Sequence, residues 1–190
     1  IVCLTSYTKN ISEIIDKYCD IILVGDSMSM VLYGMENTRN LKLNTMILHA
    51  KTVKKYARKS LVVFDMPYKS YENKSIAYKN ARDVINQTKC DAVKLEGGKK
   101  ILKIIQILVK NKIPVMGHLG LLPQTDKTFK YKGRKISERN KILKDAKLLE
   151  DAGAFSIVLE CVETSLAKIV TKKISIPTIG IGASNNCDGQ

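Results

Sequence analysis

Tryptophan is absent from this sequence and arginine is scarce, with Arg making up only 5 of the 32 basic residues. Specific nucleic-acid recognition draws on guanidinium forks and stacking rings, so the net charge of +14 is poorly equipped for that task. The remaining basic residues are lysines spread along the whole chain. Lys, Ile and Asn are all abundant and share A/T-rich codons, so base composition accounts for much of the charge. The five cysteines are odd in number and never form a CxxC pair, which excludes a disulfide frame or a structural zinc ribbon and fits reduced thiols in the cytoplasm. No run approaches the roughly 18 apolar residues of a membrane span, and no basic-then-apolar signal segment is present. GxxxxGK[ST], HExxH and GxSxG are also missing, which excludes P-loop, zinc-protease and serine-hydrolase chemistry at the motif level.

What is there reads as one domain spanning residues 1–190, since 190 residues suffice for a single sizeable core but not for two. Short, nearly continuous apolar runs recur at Ile1–Tyr7, Ile21–Gly25, Leu61–Asp65, Ala92–Leu95, Ile113–Gly117, Phe155–Leu159 and Ile176–Ile181. Runs that do not alternate are the mark of parallel strands covered on both faces. Amphipathic segments at Thr45–Lys59, Glu72–Thr88, Lys99–Lys110, from Ser137 as N-cap to near Gly153, and Glu163–Lys172 predict the helices between them. Strict alternation predicts an α/β domain, either doubly wound or a (β/α)8 TIM barrel. Asp26, Asp65, Glu96, His118 and Glu160 each stand at or just beyond the C-terminal end of a different strand. A barrel gathers such ends on one face, so the barrel is the expected fold. Seven strands are counted where a barrel takes eight, so the expectation is a barrel lacking its eighth strand and C-terminal helices, incomplete at the C-terminus, and the start of the chain inside a strand extends that expectation to the N-terminus.

Asp26, Asp65 and Glu96, if buried together, would repel one another strongly without a cation, and hard oxygen ligands suit Mg2+. Each also fits a helix cap or a partner for one of the lysines. Lys94 lies two residues before Glu96 in an apolar run, so both point to one face, where an ammonium would bind the carboxylate of a small acid. His118 fits an acid/base group or a satisfied core histidine. Glu160 fits a partly desolvated base, or equally a cap or ion-pair partner.

The stretches Val24-Gly25-Asp26-Ser27-Met28, Asp65-Met66-Pro67-Tyr68, Val93-Lys94-Leu95-Glu96-Gly97-Gly98, Gly117-His118-Leu119-Gly120-Leu121 with Pro123-Gln124, Val158-Leu159-Glu160-Cys161-Val162, and Ile179-Gly180-Ile181-Gly182-Ala183 with Cys187-Asp188-Gly189-Gln190 together resemble the ketopantoate hydroxymethyltransferase family, in collinear order over essentially the whole chain. The resemblance implies a (βα)8 barrel in a large homo-oligomer, typically a decamer. It also implies transfer of a hydroxymethyl group from 5,10-methylenetetrahydrofolate to the keto acid 3-methyl-2-oxobutanoate. By the same resemblance Asp26, Asp65 and Glu96 hold Mg2+, Asp26, Ser27, Asp65 and Lys94 hold the keto acid, Glu160 accepts the proton, and His118 is an active-site histidine. Thr8, Ser29, Tyr68 and Ser184 depart from the family's usual residues, away from these positions. Two other readings stand beside this one: a different Mg2+-dependent keto-acid carbon–carbon enzyme of the phosphoenolpyruvate or isocitrate-lyase type, and a non-catalytic basic protein that binds nucleic acid.

Overall fold

The computed structural model describes residues 1–190. Seven strands form one sheet in sequence order, every neighbouring pair parallel: β1 (Cys3–Thr5), β2 (Ile21–Val24), β3 (Leu61–Asp65), β4 (Ala92–Glu96), β5 (Val115–Gly120), β6 (Ser156–Glu160) and β7 (Thr178–Ile181). The connecting helices are α1 (Lys9–Ile15), α2 (Met28–Val31), α3 (Leu43–Tyr56), α4 (Lys74–Thr88), α5 (Leu102–Lys110), α6 (Ile136–Asp151) and α7 (Thr164–Lys173). This is the nearly closed barrel that the strand-helix alternation predicts. Residues 188–190 lie in the seam between β7 and β1. Gly180 N donates to Gly189 O at 2.8 Å, Gly189 N donates to Thr178 O at 3.0 Å, and Cys3 N donates to Gln190 O at 2.8 Å. These three residues therefore bond to β7 on one side and to β1 on the other.

Two apolar layers hold the barrel. The larger joins the outer strand faces to the helices through residues such as Ile22, Phe64, Leu95, Ile105, Leu149 and Leu159. The smaller is a plug of Ile21, Val63, Ala92, Met116, Val158 and Ile179, one residue from each of six strands. Side chains alternate along a strand, so residues two further on share the plug's interior face one layer higher. Those residues are Leu23, Asp65, Lys94, His118, Glu160 and Ile181, four polar groups between two apolar ones, and the plug is the floor beneath them.

Several boundaries differ from the sequence reading. α1 and α2 were not expected; they are only 7 and 4 residues long, too short to show a periodic stripe. α6 begins at Ile136 with Lys135 at its N-cap, so Ser137 lies inside the first turn and does not cap it. Glu138 works there instead, accepting a hydrogen bond from Gly133 N at 2.6 Å. Glu163, by contrast, caps α7 outright, accepting from Ser165 N and Leu166 N.

Candidate active site

All seven residues singled out from the sequence line one cavity of about 720 Å3 at the C-terminal mouth of the barrel. Lys94, only 3% exposed, places Nζ 2.8 Å from both oxygens of Asp65 and 3.3 Å from His118 Nδ1. Asp26 sits in the turn after β2, where its backbone N faces Asp65 Oδ2 at 3.4 Å. Glu96 closes the far side, with Oε1 3.6 Å from His118 Nδ1. Glu160 stands half-buried at the end of β6, its Oε2 3.2 Å from His118 Nε2. Ser27 lies at the start of α2 and shares a 2.7 Å hydrogen bond with the hydroxyl of Tyr7.

Lys94 fixes the histidine's protonation. An ammonium only donates, so His118 Nδ1 accepts and Nε2 carries the proton toward Glu160. Burial, followed by the neighbouring Lys94 charge, holds the imidazole's pKa below its ordinary value, and His118 is neutral. Its Nε2 faces Glu160 with poor alignment and has no hydrogen-bond partner, and Thr38 Oγ1 in the same cavity is likewise buried and unpartnered. Two orphaned polar atoms in one cavity mark it as built for a ligand.

Charge balance gives a second mark. Three buried carboxylates face a single ammonium, leaving two negative charges uncompensated when all ionise. Burial, together with Asp65 beside it, pushes Asp26 above the usual carboxylate range, and burial pushes Glu96 up to about 9 despite the opposing pull of Lys94. Burial alone would lower the pKa of Lys94, but Asp65, Glu96 and Asp26 outweigh it and keep the ammonium charged. The deficit equals the charge of a divalent cation, and the donor oxygens are of the hard type that Mg2+ takes. The three-carboxylate cage expected from the sequence is not preformed, however. No group of three His, Cys, Asp or Glu side chains is arranged to hold an ion, because Lys94 occupies Asp65 and Gln124 bonds to both Asp26 and Glu96. Two carboxylates completed by water or substrate suit Mg2+ equally well.

Gln124 and the two tyrosines are the contributors that residue-type reasoning did not single out. Gln124, 1% exposed, donates through Nε2 to Asp26 Oδ2 and Met66 O, through its backbone N to Glu96 Oε2, and accepts from Tyr71 OH at 2.6 Å. Tyr71 OH in turn accepts from Glu96 N at 3.3 Å. Tyr7 is held from behind by His49, whose Nδ1 donates to the Tyr7 carbonyl at 2.7 Å while its Nε2 accepts from Tyr33 OH. The signal available for Gln124 was its place in the Pro123-Gln124 pair, part of the stretch after β5 that carries the family resemblance.

The family model of ketopantoate hydroxymethyltransferase matches residues 1–190. The 3-methyl-2-oxobutanoate hydroxymethyltransferase of Pelagibacter ubique is 60% identical over 190 residues, which cover all of this chain and 74% of that relative. The enzyme of the same name from Anaplasma marginale is 51% identical over 193 residues, covering all of this chain and 70% of the relative. Among solved structures, phosphonopyruvate hydrolase in complex with oxalate and Mg++ superposes with a TM-score of 0.72 at 9% identity, over 95% of this chain and 66% of that one. 2,3-Dimethylmalate lyase, a PEP mutase/isocitrate lyase superfamily member, superposes with a TM-score of 0.71 at 16% identity, over 95% of this chain and 65% of that one. This chain thus spans slightly less than two thirds of the length of the structures it resembles, and at such identities the likeness is one of fold.

Proposed function

The chain belongs to the ketopantoate hydroxymethyltransferase family, and from that premise we propose that its barrel mouth transfers a hydroxymethyl group from 5,10-methylenetetrahydrofolate to 3-methyl-2-oxobutanoate. The products are 2-dehydropantoate and tetrahydrofolate, with water supplying the hydroxyl oxygen. The observation that carries this reading is the interior layer itself: Asp65, Lys94, His118 and Glu160 stand on one face of four adjacent strands, with Asp26 and Glu96 around them.

Lys94 supplies the fixed positive charge that receives the keto acid's carboxylate, and Ser27, held by Tyr7, offers a hydroxyl beside it. Asp26 and Asp65 would hold Mg2+, with Glu96 balancing charge across Gln124. When bound, the ion supplies Lewis acidity that draws electron density from the keto oxygen and eases loss of the C3 proton. Glu160 takes that proton. Neutral His118 places its unpartnered Nε2–H 3.2 Å from Glu160 Oε2, where it is free to donate to the bound keto acid beside the base. The carbon nucleophile left at C3 takes the one-carbon unit. Assembly as a homo-oligomer in the cytoplasm belongs to the same proposal. It is supported by the exposed apolar run Met30, Val31, Leu32 and Tyr33, and no helix is long and apolar enough to cross a membrane.

The test is proton NMR of 3-methyl-2-oxobutanoate in D2O with the protein and Mg2+, without folate and against an EDTA control. Metal-dependent exchange of the C3 proton is expected, slowed at least about a hundredfold by Glu160→Gln. Full folate-dependent transfer by Glu160→Gln would remove Glu160 from its role. An Asp26→Ala/Asp65→Ala variant that bound Mg2+ and keto acid as tightly as the parent would remove the metal assignment.

A further inference from the structure

The segment that carries Asp26 and Ser27 has little of its own to hold it. α2 is 4 residues long, a single turn, and Met30, Val31, Leu32 and Tyr33 on its outer side are exposed. A lone turn does not persist unaided, so tertiary bonds set its position. One such bond lies at its start. Ser27 makes no side-chain cap on the helix it opens, and its hydroxyl is bonded instead to Tyr7 OH at 2.7 Å. The approach is close, for a Cβ at Gly25 would lie 2.9 Å from Ser27 Oγ and 3.8 Å from Tyr7 OH.

Tyr7 in turn is fixed through its backbone. His49, half-buried on α3, puts Nδ1 2.7 Å from the Tyr7 carbonyl oxygen, 42 residues away in sequence. A carbonyl only accepts, so Nδ1 carries the proton, and in the neutral ring Nε2 then accepts from Tyr33 OH at 2.8 Å. Tyr33 stands just beyond α2. The one imidazole therefore holds both ends of the Ser27–Tyr33 segment, directly at Tyr33 and through Tyr7 at Ser27. Neither Tyr7 nor His49 lines the cavity, so His49 reaches a ligand only through Tyr7 and Ser27.

We propose that His49 is a positioning residue for the keto acid: its Nδ1–H fixes Tyr7, Tyr7 OH fixes the Ser27 hydroxyl, and that hydroxyl meets the substrate's carboxylate. The proposal rests on the keto-acid reading above and adds a residue of α3 to it. The two ring nitrogens have separate tasks. Nε2, bonded to Tyr33, sets the tautomer, and Nδ1 sets substrate affinity. The carboxylate is remote from the C3–H bond that breaks, so Ser27 binds it equally before and during proton transfer. Losing that contact raises KM and leaves kcat alone.

The test compares two replacements of the same ring in C3-proton exchange with Mg2+ and without folate, reading KM and kcat for 3-methyl-2-oxobutanoate. His49→Asn places an amide N–H where Nδ1 stands and keeps the bond to Tyr7, whereas His49→Gln reaches the Nε2 position and loses Tyr7. His49→Gln is expected to raise KM about tenfold, the effect of one lost hydrogen bond to a charged group, with kcat within about twofold of the parent. His49→Asn is expected to match the parent in both. Tyr7→Phe should raise KM by the same factor, and His49→Gln should add nothing in the Tyr7→Phe background, because the two act in series. Parent-like KM in His49→Gln, equal impairment by the Asn and Gln replacements, or additive effects of His49→Gln and Tyr7→Phe would each overturn the proposal. So would a fall in kcat at unchanged KM, the mark of a residue that only holds the fold together. Circular dichroism and urea midpoints establish that each variant folds. Should His49→Gln not fold, Tyr7→Phe tests the same arm, and an unchanged KM there overturns the proposal as well. A parent without exchange strikes the keto-acid reading itself, so the two failures are distinct.

Discussion

Gln124 Nε2 donates to Asp26 Oδ2 at 2.9 Å, joining the loop after β5 to the turn after β2 across 98 residues of sequence. The same side chain accepts from Tyr71, and its backbone N reaches Glu96. One residue therefore spaces two carboxylates that would otherwise repel, its side-chain amide on Asp26 and its backbone N on Glu96, and both ends of that amide are hydrogen-bonded.

Replacing Gln124 by Leu keeps the volume and removes the three side-chain bonds, leaving only the backbone N on Glu96. Tyr71 OH and Met66 O lose partners, and Asp26 loses the donor that favours its charged form. Leaving buried groups unsatisfied costs about 1–3 kcal/mol each, so the urea midpoint falls. C3-proton exchange falls with it, by at least about tenfold, because Asp26 no longer stands where the keto acid requires it. Parent-like exchange in a folded Gln124→Leu protein would show that Asp26 needs no such support.

The barrel was legible because parallel strands covered on both faces leave continuous apolar runs, and Lys94 was legible because solvation alone does not account for a cation in such a run. Glu160 and His118 stood out as polar groups at or just beyond the C-terminal ends of two apolar runs. The rest was not periodic. Gln124, Tyr71 and Thr38 come from loops and a short turn whose paths are set by tertiary packing, and α1 and α2 are too short to carry a stripe. The separation of Glu96 from Asp26 was hidden for a related reason. Which acids converge depends on what stands between them, and Gln124 does.

Lys94→Met removes the only cation among the three carboxylates. Breaking a buried pair this way typically costs about 3–5 kcal/mol, because the partner charge is left uncompensated. The variant is therefore expected to unfold at markedly lower urea than the parent in EDTA. Mg2+ binds only the folded site, so it should stabilise both proteins and recover part of the variant's deficit. Equal midpoints of parent and variant in EDTA would mean that Lys94 does not neutralise Asp65.

Asp16 carries a pH dependence away from the active site. Burial works against its charged form, but the backbone N–H groups of Ser60, Arg58 and Lys59 outweigh that effect and lower its pKa from 3.8 to about 2. For a group depressed in the folded state, the stabilisation is complete above the unfolded value and drains as pH falls through the folded one. Asp16 thus contributes about 2 kcal/mol at neutral pH, lost between about pH 4 and pH 2. Asp16→Asn should be less stable than the parent at pH 6, and the gap in urea midpoint should close as the pH approaches 2. A gap that stayed constant with pH would assign the effect to packing.

Gly120 ends β5 at a φ of 97°, a conformation that disfavours any side chain, and a Cβ there would overlap the carbonyl oxygen of Glu160. That carbonyl already accepts from Leu121 N at 2.8 Å, so the two strand ends cannot separate without breaking the bond. Gly120→Ala therefore pushes β6 outward at the residue whose side chain faces His118. Gly34 supplies the control, since it also has a positive φ, 61°, but open space around it. Gly34→Ala should cost about 1 kcal/mol in conformation and leave C3-proton exchange alone. Gly120→Ala should cost more in urea and also slow exchange by at least about tenfold, as a misplacement on the order of 1 Å does at a reacting group. Exchange at the parent rate in Gly120→Ala would mean that Glu160 is positioned by its side-chain contacts, with the close approach of the two strand ends playing no part.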